Sequence, residues 1–189
     1  MTKVIHIEQI NREEWRQLVQ TSTTGTWFQS PEAYDFFASL PELFVPFAYG
    51  IADFRLQIED CELRGVCCGY VTVERNPLKQ FFTRRAIILG GPCLADDATE
   101  EEAAVLMSAV VESVRCKEDN NKHYTLNIPP IYIETRNFND YSRWRGAFAA
   151  AGFSYQPHLN FHIDTSSPET VEANLGKSRK RDIRTTIRE

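Results

Sequence analysis

The sequence predicts a mixed α/β fold, a largely antiparallel sheet flanked by helices. Three observations lead there. Extended segments outnumber helical ones, and they run in the order β-α-α-β-β-β-α-β-α-β before two short helices. Several of these strands adjoin closely enough to pair as hairpins, so the sheet is mixed rather than doubly wound and parallel. One long segment, LRGVCCGYVTVER, is apolar on both faces in its middle, as a strand at the centre of a sheet must be.

Each element has its own local reason. VIHIE, residues 3–7, is a short strand. Asn11 caps the helix after it, where Trp15, Leu18 and Val19 share a face. TTGTWFQS turns into an extended piece. Ser30-Pro31-Glu32 then supplies a cap, a first-turn proline and an acid near the positive end of the helix dipole. Ala33, Phe36, Phe37 and Leu40 fall at i, i+3, i+4, i+7 and predict a buried face, which Pro41 ends.

VPFAYGIA reads as a strand, and FRLQIE directly after it alternates apolar and polar residues. The central strand follows, then FFTRRAIIL, closed by Gly90-Gly91-Pro92. Thr99 and Glu102 form a capping box. The helix beyond it buries Ala103, Leu106, Met107, Val110 and Val114 and turns Glu101, Glu112 and Ser113 outward. HYTLNIPPIYIETRN is extended around Pro129-Pro130. Asn139 is expected to cap a helix with Tyr141, Trp144, Phe148 and Ala151 on one stripe and Gly152 at its end. FSYQPHLNFHID reads as a last strand, with Leu159, Phe161 and Ile163 facing one way and His158, Asn160 and His162 the other. Ser166-Ser167-Pro168-Glu169 starts one more helix, Gly176 interrupts it, and Ser178 is expected to cap its continuation.

Composition bounds the function. The chain has 189 residues with 42% hydrophobic content, enough for one sizeable core. It lacks a signal-peptide pattern, and no stretch approaches the eighteen apolar residues of a membrane span. The five Cys are odd in number and without zinc-site spacing, and Cys67-Cys68 sits in the apolar strand. They read as reduced core thiols, which makes the cytoplasm the default compartment. His158 and His162 would stand roughly 13 Å apart on an extended strand, too far to share one metal ion. No metal site is expected.

Charge is unevenly placed. The last thirteen residues, Lys177 through Glu189, hold six Lys or Arg against Asp182 and Glu189, a net of +4. The chain as a whole is −5, so the rest sums to −9. Lys177, Arg181, Arg184 and Arg188 recur at i, i+4, i+7, i+11 and form one face, with Arg179 and Lys180 beside it. Such a face suits phosphate, through charge-assisted and bidentate contacts, although most charge runs are solvated helix surface. Tyr132, Glu134 and Arg136 share a strand face. Glu134 is a candidate general base for an attacking amine, set against the simpler reading of an ion pair with Arg136.

Two stretches carry a family resemblance. NLGKSRKRDIRTTIRE, residues 174–189, resembles the Leu-(Ser/Gly)-Lys-x-x-Arg-x-x-Ile-Arg signature of the Fem-type (FemAB family) peptidoglycan bridge-forming aminoacyltransferases and their GNAT-like relatives, with Leu175, Lys177, Arg179, Arg181, Ile183 and Arg184 on or beside the pattern. FQSPEAYDFF, residues 28–37, resembles the family's Phe-Gln-Ser-Pro start to its second helix. The order of elements is that of the GNAT acyltransferase fold.

The resemblance implies a transferase of cell-wall (peptidoglycan) biosynthesis. It would move an amino acid from aminoacyl-tRNA to an amine of a phosphate-bearing muropeptide precursor, without a cofactor and in contact with the inner membrane face. It also implies two GNAT-like domains in tandem. Residues 1–165 would be the first, and 166–189 the opening helices of a second that this chain lacks, leaving the chain alone inactive. Ile183 and Ile187 form a narrow apolar stripe with nothing obvious left in the chain to cover it, and no Gly, Asn or Pro stops the helix; the simpler alternative is a C-terminal helix folded back on the first domain.

The alternatives are a CoA-dependent GNAT N-acyltransferase and a non-enzymatic module that binds polyanions through its tail. Gly90-Gly91-Pro92 lies where a CoA-binding relative keeps its pyrophosphate loop. Here Pro92 removes a donor, and Cys93–Ala98 intervene before the helix. That reads as a structural turn rather than a phosphate cradle.

Overall fold

Residues 2–54, 61–115, 129–157, 159 and 163–188 are described in a computed structural model of the chain. It splits into two units, Met1–Ser154 and Tyr155–Glu189. The first holds β1 (Thr2–His6), α1 (Arg12–Thr21), α2 (Pro31–Ala38), β2 (Phe44–Phe54), β3 (Cys61–Thr72), α3 (Pro77–Thr83), β4 (Arg85–Gly90), β5 (Cys93–Leu94), α4 (Glu100–Arg115), β6 (Tyr132–Asn137) and α5 (Arg145–Ala150). The second holds α6 (Pro168–Asn174) and α7 (Lys177–Arg188).

The sheet runs β1-β2-β3-β4-β6, with β5 paired to β3. Every pairing is antiparallel except β4 with β6, which is parallel. The mixed, largely antiparallel sheet read from the sequence is therefore the observed one, and β3 is its centre. Successive residues of β3 feed opposite cores. Cys67 joins Ile51, Ile88, Leu106, Met107 and Trp144, and Cys68 joins Ile5, Trp15, Leu18 and Ala52. Helices α4 and α5 thus cover one face, and α1 the other, where α2 adds a third cluster of Ala33, Phe37, Tyr70 and Ile87.

The caps follow the sequence where short polar residues precede apolar periodicity. Asn11 accepts from Glu13 N, Ser30 from Ala33 N and Ser167 from Thr170 N. The Thr99–Glu102 box closes in both directions, at 2.9 and 3.2 Å. Helix α5 ends as expected: Gly152 is left-handed (φ 86°), Phe153 N donates to Phe148 O, and the two rings touch.

Five expectations are corrected. Phe81, Phe82 and Thr83 belong to α3, not to the strand, which begins at Arg85. Asn76 caps α3 by accepting from Leu78 N and Lys79 N, and Pro77 occupies its first turn, a helix start that the strand reading passed over. Asp140 rather than Asn139 caps the turn before α5, accepting from Ser142 N at 2.8 Å. Ser178 lies inside the first turn of α7. Phe36 is half exposed because the stripe of α2 is narrower than four residues. Residues 153–157 carry no strand. Most of FRLQIE, the segment 116–128, and His158, Asn160, Phe161 and His162 lie outside the described residues.

One tie crosses the fold. Gln29 is fully buried, and every hydrogen-bonding position of its amide is used. Its Oε1 accepts from Thr26 N (2.6 Å) and Thr26 Oγ1 (2.9 Å). Its Nε2 donates to Gly90 O (3.2 Å) and Gly91 O (2.8 Å). Its own carbonyl accepts from Trp15 Nε1 at 2.6 Å. Replacing Gln29 by Leu keeps the volume, takes the Gln29 donor from the buried Gly91 carbonyl and removes the acceptor of Thr26 N–H. We expect a loss of about 2–4 kcal/mol in urea unfolding with an unchanged m-value, since each unsatisfied buried group costs about 1–3 kcal/mol.

Candidate functional site

Parallel pairing of β4 and β6 aligns Arg85 with Tyr132, Ile87 with Glu134 and Leu89 with Arg136. Alternation along each strand then sets Arg85, Tyr132, Glu134 and Arg136 on one face at the sheet's β6 edge. Arg136 holds Glu134 from both Nε (2.6 Å) and Nη2 (2.5 Å). Arg85 Nη1 lies 3.9 Å from the other carboxylate oxygen and donates to Tyr132 Oη at 3.3 Å. Tyr70 sits opposite Ile87 on the same face. Burial pushes its hydroxyl up from the ordinary phenol range, with Arg136 and Arg85 pulling the other way. Glu134 is thus the carboxylate of an Arg-Glu-Arg row. The ion-pair reading fits this geometry, and the base reading would require Arg136 to let go. Arg85, about fifty residues earlier in sequence, was not legible as Glu134's neighbour, because nothing in a single sequence marks a parallel register.

The Gly90-Gly91-Pro92 turn is built to present carbonyls inward. Both glycines are left-handed, with φ of 83° and 82°. A Cβ at Gly90 would meet Thr26 Oγ1 at 2.8 Å, and one at Gly91 would meet Asn137 Oδ1 at 2.6 Å. Besides Gln29, the Tyr141 hydroxyl approaches Gly90 O (2.8 Å) and Pro92 O (2.7 Å) and gives its proton to one of them. Burial drives the Tyr141 hydroxyl far above the ordinary phenol range, so it remains a neutral donor. Helix α4, the next after the turn, meets any anion with Glu100 and Glu101 and with Glu102, which already accepts from Thr99 N. The Glu102 carboxylate is itself buried beside Arg64, 3.3 Å away. Arg64 is the residue that the register skips between Ile51↔Gly65 and Ala52↔Leu63, and its guanidinium also reaches Asp97 at 2.8 Å. These contacts make the turn structural.

The second unit holds the cationic helix. Over Lys177–Arg188, a helical advance of about 100° per residue lines up the backbone positions of Lys177, Arg181, Arg184 and Arg188. Lys180 flanks that row, and Arg179 falls on the opposite side of the helix rather than beside it. Arg184 Nη2 meets Glu172 of α6 at 3.5 Å, and Arg181 Nε lies 3.9 Å from Asp182. The first turn carries Lys177, Arg179 and Lys180 and no acid, so its cations add to the positive end of the helix dipole. An anion placed there would relieve that repulsion.

Among the described thiols, Cys67, Cys68 and Cys93 offer no nucleophile. Burial raises Cys68 and Cys93 to about 12 and Cys67 higher still. Among the described residues, no group of three or more His, Cys, Asp or Glu side chains gathers as a metal site. No helix among them is long and apolar enough to cross a membrane.

No protein-family model matches this chain, and no curated protein sequence matches it. Among solved structures, the chain is similar to one described as a crystal structure of a probable acetyltransferase. The two share 15% identity at a TM-score of 0.45, over 88% of this chain and 99% of that one.

Thiol chemistry checks the burial directly. In a Cys61→Ser, Cys116→Ser variant at about pH 8, Cys67, Cys68 and Cys93 should resist an aromatic disulfide reagent until denaturant is added. Native-state reaction within minutes would contradict the packing. Glu134→Gln, at a partly exposed pair, should lower stability by under about 1 kcal/mol in a thermal melt.

Proposed function

We propose that this chain serves acyl transfer of the Fem type. An amino acid, activated as its ester on tRNA, would pass to the primary amine of a phosphate-bearing peptidoglycan precursor, and α7 would hold the phosphate. The observation that carries this reading is the α7 row of Lys177, Arg181, Arg184 and Arg188, with an acid-free first turn, in a chain of net charge −5. It stands beside the resemblance of residues 174–189 to the Fem signature.

The chemistry asks little of any single side chain. Attack of an amine on an activated ester is already favourable, so the protein's work is to align the two reactants and to stabilise the tetrahedral oxyanion. Guanidinium groups would grip a diphosphate bidentately, and Lys177 would act as a point charge. Glu134 is left to its ion pair with Arg136 and given no proton-transfer role. A CoA-dependent acyltransferase would place a pyrophosphate near the Gly90-Gly91 turn. Carbonyls bound to Gln29 and Tyr141, and a helix start rich in glutamate, disfavour an anion there.

Calorimetry of this chain tests the reading. A nucleotide-linked muropeptide should bind, and Arg181→Glu should weaken it about tenfold, near 1.4 kcal/mol. Arg179→Glu, on the far side of α7, should change it much less. Heat from acetyl-CoA would favour the CoA-dependent reading. Equal binding of any polyanion, falling steeply with salt, would favour the module without enzymatic activity.

A further inference from the structure

The stretch Glu74–Arg85 crosses from β3 to β4 through α3. Asn76 caps it, and the buried Gln80 secures it: with its amide oriented to satisfy both partners, Gln80 donates to Glu74 O (2.9 Å) and accepts from Arg84 Nη1 (3.1 Å). The helix is thereby held while its apolar side chains are left outside. Leu78, Phe81 and Phe82, at i, i+3 and i+4, are 71%, 56% and 66% exposed. The two Phe rings pack edge to face at 5.0 Å. Ile131 and Tyr132 run beside the end of this stretch. Ile131 N donates to Arg84 O, Tyr132 pairs with Arg85, and both side chains are about half exposed. Isolated exposed apolar residues are ordinary, but five large ones beside a single short helix are not.

Cations accompany them. Residues 74–85 hold Arg75, Lys79, Arg84 and Arg85 against Glu74, a net of +3, while the chain is −5 and the remainder therefore −8. Arg75 and Lys79 are exposed and Arg85 partly so, whereas Arg84 is buried. We propose that α3, with its exposed Leu78, Phe81 and Phe82 and the cations Arg75, Lys79 and Arg85, docks the protein on an anionic lipid bilayer. This inference stands independently of the acyl-transfer reading.

The chemistry selects that occupant. Leu and Phe enter the boundary between headgroups and acyl chains, and Lys and Arg stay with the phosphates. Exposed Tyr132 suits the same boundary, where amphipathic rings concentrate. A seven-residue helix is too short to lay a long stripe into another protein's groove, yet it suffices to seat two adjacent rings in a membrane surface. An anionic surface attracts both the +3 segment and the +4 stretch Lys177–Glu189, and of the two only the first carries exposed aromatic rings to enter it.

Flotation with lipid vesicles tests this. The full chain should float with vesicles of phosphatidylcholine and phosphatidylglycerol, bind pure phosphatidylcholine much more weakly, and lose binding as salt rises. Phe81→Ser with Phe82→Ser should reduce the bound fraction about tenfold, and Lys79→Glu should reduce it on the anionic vesicles alone. All three side chains are exposed, so circular dichroism and melting should be unchanged. No binding to anionic vesicles, or binding that ignores both variants, overturns the proposal. So does a wild-type dimer in sedimentation equilibrium that the Phe variants dissolve, which would assign the patch to a second copy of the chain.

Discussion

The first unit depends on how one buried amide is satisfied. Gln29 lies between helices α1 and α2, far in sequence from the carbonyls of Gly90 and Gly91 that it closes. Those carbonyls point inward because both glycines are left-handed. Buried carbonyls without donors would open the junction to water. The Gln29 amide supplies the donors, Thr26 saturates its oxygen, and Trp15 fixes its backbone. A buried polar network is stabilising only when every member is satisfied, and this one meets that condition. It fixes where β4 ends and where Tyr141 sits, and so sets the register from which β6 and its Glu134 row follow.

That constraint also decides what the turn can do. An anion cradle needs backbone N–H groups converging on open space, with a helix dipole behind them. This turn converges carbonyls instead, onto side-chain donors, and α4 begins with three glutamates. Glu102 closes the capping box and neutralises Arg64 at once, so any anion arriving there would compete with a carboxylate already placed. The motif that suggests a phosphate loop by its position turns its carbonyls onto Gln29 and Tyr141 instead.

Elements with local causes were legible in the sequence. Asn11, Ser30, Ser167 and the Thr99–Glu102 box each act within four residues, and each sits where the spacing put it. The central strand was legible because burial on both faces needs an unbroken apolar run. What the sequence hid was long-range or balanced between two local signals. Phe81-Phe82 reads as strand by composition, yet the Asn76-Pro77 start makes it helix. The parallel register that brings Arg85 to Glu134 leaves no local mark. Gln29 was visible within a Phe-Gln-Ser-Pro stretch, but its role requires knowing that Gly90 and Gly91 fold back onto it. The short β5 pairs with β3 only because the turn delivers it there.

The cationic stretches differ in what accompanies the charge, and that difference is chemical. In α7, Lys177, Arg181 and Arg184 line up along the helix, with Glu172 and Asp182 as nearby acids. A row of guanidiniums rewards a ligand that concentrates charge, such as a diphosphate. Around α3, the cations are spaced by Leu78, Phe81 and Phe82, so no compact anion can meet several of them without also facing apolar rings. A surface that offers separated phosphates over hydrocarbon would satisfy both kinds of side chain there. Similar net charge, +4 over the last thirteen residues and +3 over residues 74–85, would therefore suit unlike ligands. The apolar residues between the charges, not the charges themselves, make the distinction.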